Sequence, residues 1–160
     1  MWIDDTSALT PAKLHSKARR LYAEQGGIDL ITVDYLGLMS VEDGKKNRTQ
    51  EVGEISRSLK KLAKDLDVPV VALAQLNRSC EARKDKRPQL ADLRDSGDVE
   101  QDADVVIFIF REDYYEESTE RPNIAEINIA KHRNGPTGVV DLFFQAQCIS
   151  FKSLQKVALS

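Results

Sequence analysis

Only two cysteines occur in the 160 residues, Cys80 and Cys148, far apart and with no C-x-x-C pattern. Only two histidines occur, His15 and His132, and they do not cluster. Those shortages argue against a disulfide framework and against a His/Cys metal site. No apolar run approaches the roughly 20 residues that span a bilayer, and the N-terminus carries no signal-peptide pattern, so a reduced cytoplasm is the expected home. Neither sign of charge dominates: 23 Lys and Arg stand against 26 Asp and Glu, net −3. That balance neither demands nor excludes nucleic acid, because a local basic loop can grip phosphate on an acidic protein. Internal repeats and low-complexity linkers are absent. So is any G-x-x-x-x-G-K-[ST] segment, the loop that cradles phosphates with its backbone amides.

What is present is ordinary globular material, 41% hydrophobic and 31% charged. A chain of this length buries about two-thirds of its unfolded surface. The element order alternates. Trp2-Ile3 before Asp4-Asp5 resembles the end of a short strand. Thr10-Pro11 reads as an N-cap with proline at the first helical position, and Leu14, Ala18, Leu21 and Tyr22 share one helical face. Gly26-Gly27 stop that helix. Ile28–Val33 is an apolar strand, and 41–49 a polar loop. Val52, Ile55, Leu59, Leu62, Ala63 and Leu66 form the stripe of a second helix. Val68–Ala74 and Val105–Phe110 are further buried strands. The charged stretch 79–98 shows little periodicity, and residues 112–123 predict an acidic, mobile loop. Ile124–Ala130 and Val139–Phe144 alternate like the arms of a hairpin around Asn134-Gly135-Pro136-Thr137-Gly138.

Near-continuous apolar strands alternating with helices imply a mostly parallel sheet covered on both faces. Chemistry in such sheets sits at the C-terminal strand ends. Three of those ends carry polar residues: Asp34, Gln75 and Arg111. An acid ending a buried strand is where P-loop ATPases hold the Mg²⁺ of Mg-ATP, usually through water. A neutral amide such as Gln75 can donate to a γ-phosphate and accept from water. Arg111 taken alone reads more simply as the point where its strand leaves the core. Together, Asp34 and Gln75 favour function.

Four segments carry a resemblance: IDLITVDYLGLM, NRTQEVGEISRSLKKLAKDLDVPVVALAQLNRS, DKRPQLADLRDSGDVEQDADVVIFIFR and AKHRNGPTGVVDLFF. The chain resembles the C-terminal RecA-like motor domain of bacterial replicative DNA helicases, the DnaB family. The resemblance implies an α/β fold: a partial RecA-like P-loop NTPase core ending in an antiparallel hairpin. Residues 1–144 would be the distal part of that motor domain and residues 145–160 a C-terminal tail, which matches the family only through Phe151 and Leu154. By the same resemblance Asp34 matches the Walker B aspartate, a catalytic and metal-holding position, and Gln75 matches the sensor glutamine. Lys131 and Arg133 match the basic pair that reaches into a neighbouring subunit's ATP site. Arg111 is a candidate nucleotide contact. Arg94, Asp95 and Gly97 match the central-channel loop that grips single-stranded DNA. The implied cofactors are ATP and Mg²⁺. The implied partners are single-stranded DNA, further copies of itself in a homo-hexamer, primase and a helicase loader, and the implied activity is 5′-to-3′ unwinding. Two positions depart from the family's pattern: Gly37 stands where glutamine is common, and Asp95 where glutamate is.

Plainer readings stand beside these. Lys131 and Arg133 read equally as solvated hairpin charges, and the charges of 83–87 as a hydrated loop. His15 is expected on an exposed helix face and His132 on the hairpin strand's other side. A non-catalytic RecA-like module that binds DNA or partners is the alternative to an enzyme part. A RecA- or RadA-type recombinase fits KHRNGPTG and LRDSGDVEQDAD less well.

Overall fold

The structure, a computed structural model, describes residues 1–41, 47–96, 99–116 and 118–154. Two compact units emerge. The first comprises Met1–Ser79 and Leu90–Ala103, the second Cys80–Gln89 and Asp104–Ser160.

In the first unit, α1 (Pro11–Gln25) begins where Thr10 accepts a hydrogen bond from the Lys13 amide and ends at Gly26, whose φ of 74° is the left-handed conformation glycine tolerates. Helix α2 (Arg48–Leu66) starts with a reciprocal capping box: Asn47 Oδ1 accepts from the Gln50 amide at 2.9 Å, and the Asn47 amide donates to Gln50 Oε1 at 3.3 Å. Its apolar stripe packs inward. Ile55 is 0% and Leu62 1% exposed, and such burial stabilises by about 1.5–3 kcal/mol per large side chain. Leu36, Met39, Val52, Ile55 and Leu59 form one buried cluster. Strands β1 (Ile31–Val33) and β2 (Val70–Ala72) run parallel, with Ile31 opposite Val70 and Val33 opposite Ala72. The short helix α3 (Val99–Asp102) packs on α2.

The second unit is a four-stranded antiparallel sheet in the order β3 (Val105–Arg111), β4 (Ile124–His132), β5 (Gly138–Gln145), β6 (Ser150–Ser153). The expected hairpin is β4–β5, joined by residues 133–137. The expectation of a mostly parallel sheet is only partly met. Among the described residues the parallel ladder has two strands, and Val105–Phe110, expected as its third member, lies in the antiparallel sheet. The physical cause is visible in β3. Its burial alternates, with Val106, Phe108 and Phe110 buried while Val105, Ile107 and Ile109 are 43%, 54% and 57% exposed. A continuous apolar run thus serves a strand with one covered face, the pattern of an antiparallel partner.

Smaller differences have local causes. Trp2 and Ile3 form no strand and are exposed. Bonds cross the stretch expected as a mobile loop: the Asn123 amide donates to Asp113 Oδ2 at 2.9 Å, and Thr119 Oγ1 to Glu112 Oε2 at 2.6 Å. The stretch 79–98 overlaps the 3-10 turn Arg78–Ala82 and includes the 3-10 turn Leu90–Ser96. No helix among the described residues is long and apolar enough to cross a membrane.

Candidate functional site

Asp34 follows β1 directly, and Gln75 lies three residues beyond β2. Because the strands are parallel and in register, both residues leave the same end of the sheet. Both are exposed. The chain past Asp34 is stitched to its neighbour: the Leu73 amide donates to the Val33 carbonyl at 2.9 Å, and the Leu36 amide donates to the Leu73 carbonyl at 2.9 Å. A cleft of about 210 Å³ opens here, lined by Tyr35, Gly37, Arg48, Ala74, Gln75 and Asn77, among others.

The residues present fit a magnesium-bound phosphate in one respect. Mg²⁺ keeps several waters and is commonly held by one or two protein carboxylates. Asp34 at a strand end offers such a carboxylate. Among the described residues no group of three His, Cys, Asp or Glu side chains could hold a metal by itself. The donor set suits a shared, water-mediated ion rather than a closed protein cage.

In the second unit, Lys131 sits in β4 opposite Val106, and Arg133 follows the strand's end. The Arg133 amide donates to the Asp104 carbonyl at 2.8 Å, and its guanidinium lies 3.2 Å from Asp104 Oδ1. Both partners of that ion pair are about half exposed. Lys131 and Arg133 are thus brought together at one end of the sheet. His132, between them, meets the Pro136 carbonyl at 3.3 Å across the turn.

Arg111 ends β3. Its Nε and Nη2 donate to the two Asp113 carboxylate oxygens at 3.1 Å each, and its guanidinium lies 4.1 Å from the centre of the Phe144 ring. That fork and stack account for Arg111 within the chain. Arg94 and Asp95 lie on the 3-10 turn Leu90–Ser96, their side chains outside the described residues, as is Gly97 altogether.

Two constellations go beyond what the sequence pattern suggests. Arg87, expected within a hydrated loop, donates through Nε and Nη2 to Glu126 Oε2 and Oε1, both at 2.7 Å. Glu126 is only 7% exposed and also accepts from Arg121, which reaches Asp141 at 2.5 Å. The bond from Arg87 holds the Glu126 carboxyl below the usual carboxylate range, against the opposing effect of burial. Arg87's own pKa is raised, first by that same bond. The other constellation centres on Arg48, whose guanidinium donates to the Leu36, Gly37 and Met39 carbonyls. The sequence signals for both are weak: a glutamate in a strand that also carries Asn128, Lys131 and His132, and an arginine just after a helix cap.

Comparison with known proteins decides the lineage. The profile of the DnaB-like helicase C terminal domain matches residues 1–153. This chain belongs to that family. Its relatives include the "Replicative DNA helicase DnaB" of Pasteurella multocida (strain Pm70), 56% identical over 154 residues, covering 96% of this chain and 33% of the relative. Another is the protein of the same name from Geobacillus stearothermophilus, 50% identical over 157 residues, covering 98% and 34%. This member of the DnaB-like family therefore spans about a third of the length of those relatives. Solved structures resembling it include "The Structure Of A DnaB-Like Replicative Helicase And Its Interactions With Primase", with a TM-score of 0.91 and 44% identity, covering 96% of this chain and 38% of that one. A second, described as an ATPase domain, has a TM-score of 0.87 and 44% identity, covering 91% and 52%.

Proposed function

We propose that this chain is the distal part of the RecA-like motor of a hexameric replicative helicase, which couples ATP hydrolysis to movement along single-stranded DNA and unwinding of the duplex. The observation that carries the reading is the in-register parallel pair β1–β2, which sends Asp34 and Gln75 out of the same sheet end in a chain matched to the family along nearly its whole length. Asp34 would hold Mg²⁺, which when bound would supply charge neutralisation to the nucleotide's phosphates. Gln75 orients the attacking water or reads the γ-phosphate. Lys131 and Arg133 serve the ATP of the adjacent subunit, where a guanidinium stabilises charge spread over the transferred phosphoryl oxygens. Arg111 contributes at most to nucleotide contact, since its fork is already occupied by Asp113. Arg94, Asp95 and Gly97 grip the DNA backbone: the arginine supplies charge, and glycine lets backbone amide approach a phosphate. Primase and a helicase loader are its protein partners; the structural neighbour described with its interactions with primase supports the first of them.

The test mixes subunits of the whole helicase carrying this segment. Arg133→Ala alone leaves folding and ring assembly intact, since an exposed ion pair contributes little stability, but turnover falls roughly 10³-fold or more. Lys131→Ala is milder, because an ammonium lacks the bidentate fork. Rings mixing Arg133→Ala with Asp34→Asn subunits contain interfaces that pair an intact Asp34 with an intact Arg133, so activity reappears. Verified mixed rings without recovery contradict action in trans, and normal turnover in Arg133→Ala rings ends the assignment.

A further inference from the structure

The turn that carries the chain away from Asp34 is held from outside. It is a single 3-10 turn, Leu36–Leu38, closed by the Met39 amide donating to the Leu36 carbonyl at 3.2 Å. Arg48, the first residue of α2, adds donors from outside the turn. Its Nη2 donates to the Leu36 carbonyl at 3.3 Å and the Gly37 carbonyl at 2.8 Å, and its Nη1 to the Met39 carbonyl at 3.2 Å. Glu51, one helical turn on, accepts from Nη1 at 2.8 Å and fixes the guanidinium's plane. The turn is joined in turn to β2, through the Leu36 amide on the Leu73 carbonyl at 2.9 Å, two residues before Gln75.

Gly37 completes the arrangement. A Cβ at this position would lie 2.1 Å from Tyr35 Cε2, so the Tyr35 ring rests directly on the glycine backbone. Tyr35, Gly37 and Arg48 all line the cleft that also holds Gln75. One guanidinium, touching three carbonyls, therefore governs the backbone between the two strand ends.

We propose that Arg48 is a positioning residue: by clamping the 36–39 carbonyls it fixes Asp34 and Gln75 relative to each other. The inference rests on the reading of those two as ATP-site residues. A lysine cannot replace the clamp, because one ammonium on a flexible stem does not span three carbonyls in a plane. Loss of the clamp leaves nucleotide affinity largely alone and impairs the step that needs both groups in register, since misplacement by about 1 Å can cost about 10²-fold.

The experiment uses the whole helicase carrying this segment, with single-stranded DNA saturating. Arg48→Ala lowers kcat at least tenfold with KM for ATP changed less than about threefold, and Arg48→Lys recovers only part of the loss. Millimolar methylguanidine raises kcat of Arg48→Ala but not of Asp34→Asn. If Arg48→Ala fails to assemble, Arg48→Lys, which keeps charge and stem, carries the same kcat-against-KM test. Wild-type kcat in Arg48→Lys, or a deficit confined to KM or to ring assembly, overturns the proposal. Asp34→Asn and Gln75→Ala rings that turn over normally would instead remove the reading on which it rests.

Discussion

Glu126→Gln tests the network that ties the Cys80–Gln89 segment to the antiparallel sheet. The carboxylate sits in β4, flanked by β3 and β5, and is 7% exposed. It accepts two bonds from Arg87 at 2.7 Å and one from Arg121. Hydrogen bonds to charged groups contribute about 1.5–3 kcal/mol each, and removing one member of a buried pair costs about 3–5 kcal/mol. Four features reduce that here. The Arg87 and Arg121 side chains are 41% and 37% exposed, so both guanidiniums can rehydrate, and Arg121 keeps Asp141. Glutamine also retains one acceptor oxygen, and Arg87 keeps its place 4.9 Å from the Phe110 ring centre. The expected loss is about 2 kcal/mol, a shift of about 1 M in the urea midpoint for a slope of roughly 1–3 kcal/mol/M. Two units need not unfold together, so amide exchange of β4 is followed beside circular dichroism. Because Arg87 lowers the Glu126 pKa in the folded state from the ordinary glutamate value of 4.5, the contribution is complete above that value and disappears as pH falls through the lowered one. The gap between wild type and Glu126→Gln stays constant from pH 7 to about 5 and closes at lower pH. A gap that persists unchanged to strongly acidic pH, or no gap at neutral pH, refutes the reasoning.

The remaining predictions concern nucleotide and DNA. The 160-residue chain alone hydrolyses ATP negligibly, because Asp34 without a backbone amide cradle and its lysine leaves phosphate charge uncompensated; robust DNA-stimulated turnover, unchanged by Asp34→Asn, would contradict this. In the whole helicase, Arg94→Ala weakens binding to all single-stranded sequences alike and flattens the dependence of log K on log salt by about one unit of charge. Losses confined to particular bases would show that Arg94 reads base edges instead.

Legibility follows the range of the interactions involved. Local signals suffice for α1, where Thr10, Pro11 and Gly26 mark both ends, and for α2, whose stripe from Val52 to Leu62 is the buried core. The cap of α2 falls inside a stretch that reads as loop, since Asn47 and Gln50 are polar residues acting on backbone. The strands expected over Ile28–Val33 and Val68–Ala74 are right in kind and pairing but too long: the ladder covers only Ile31–Val33 and Val70–Ala72, and apolar residues such as Leu30, Val68 and Leu73 flank it outside. The sheet containing β3 differs from expectation for a definite reason: VVIFIF is apolar on both faces, so nothing in its pattern distinguishes one covered face from two. Arg87 and Glu126 are 39 residues apart, and no local periodicity reports a bond at that separation.

The basic pair of the hairpin shows how a strand's alternation carries an inference only as far as the ladder stays regular. Residues two apart on a strand point the same way, which groups Lys131 with Arg133. The same rule extended backwards would put Lys131 beside Ile129 and Ile127. The register forbids it. Ile107 pairs with Ile129 but Val106 with Lys131, so β4 holds one extra residue, Ala130, at a bulge. Pairing partners share a face, and Val106 shares its own with Phe108, opposite Asn128. The bulge therefore moves Lys131 off the face of Ile127 and Ile129 onto the face of Val106. Beyond it, the ladder is prolonged by the Arg133 amide on the Asp104 carbonyl, and the Asp104 carboxylate meets the guanidinium. The grouping of the two cations follows from sequence alone. Which way they face is set by one inserted residue, whose effect is apparent only once the partner strand is known.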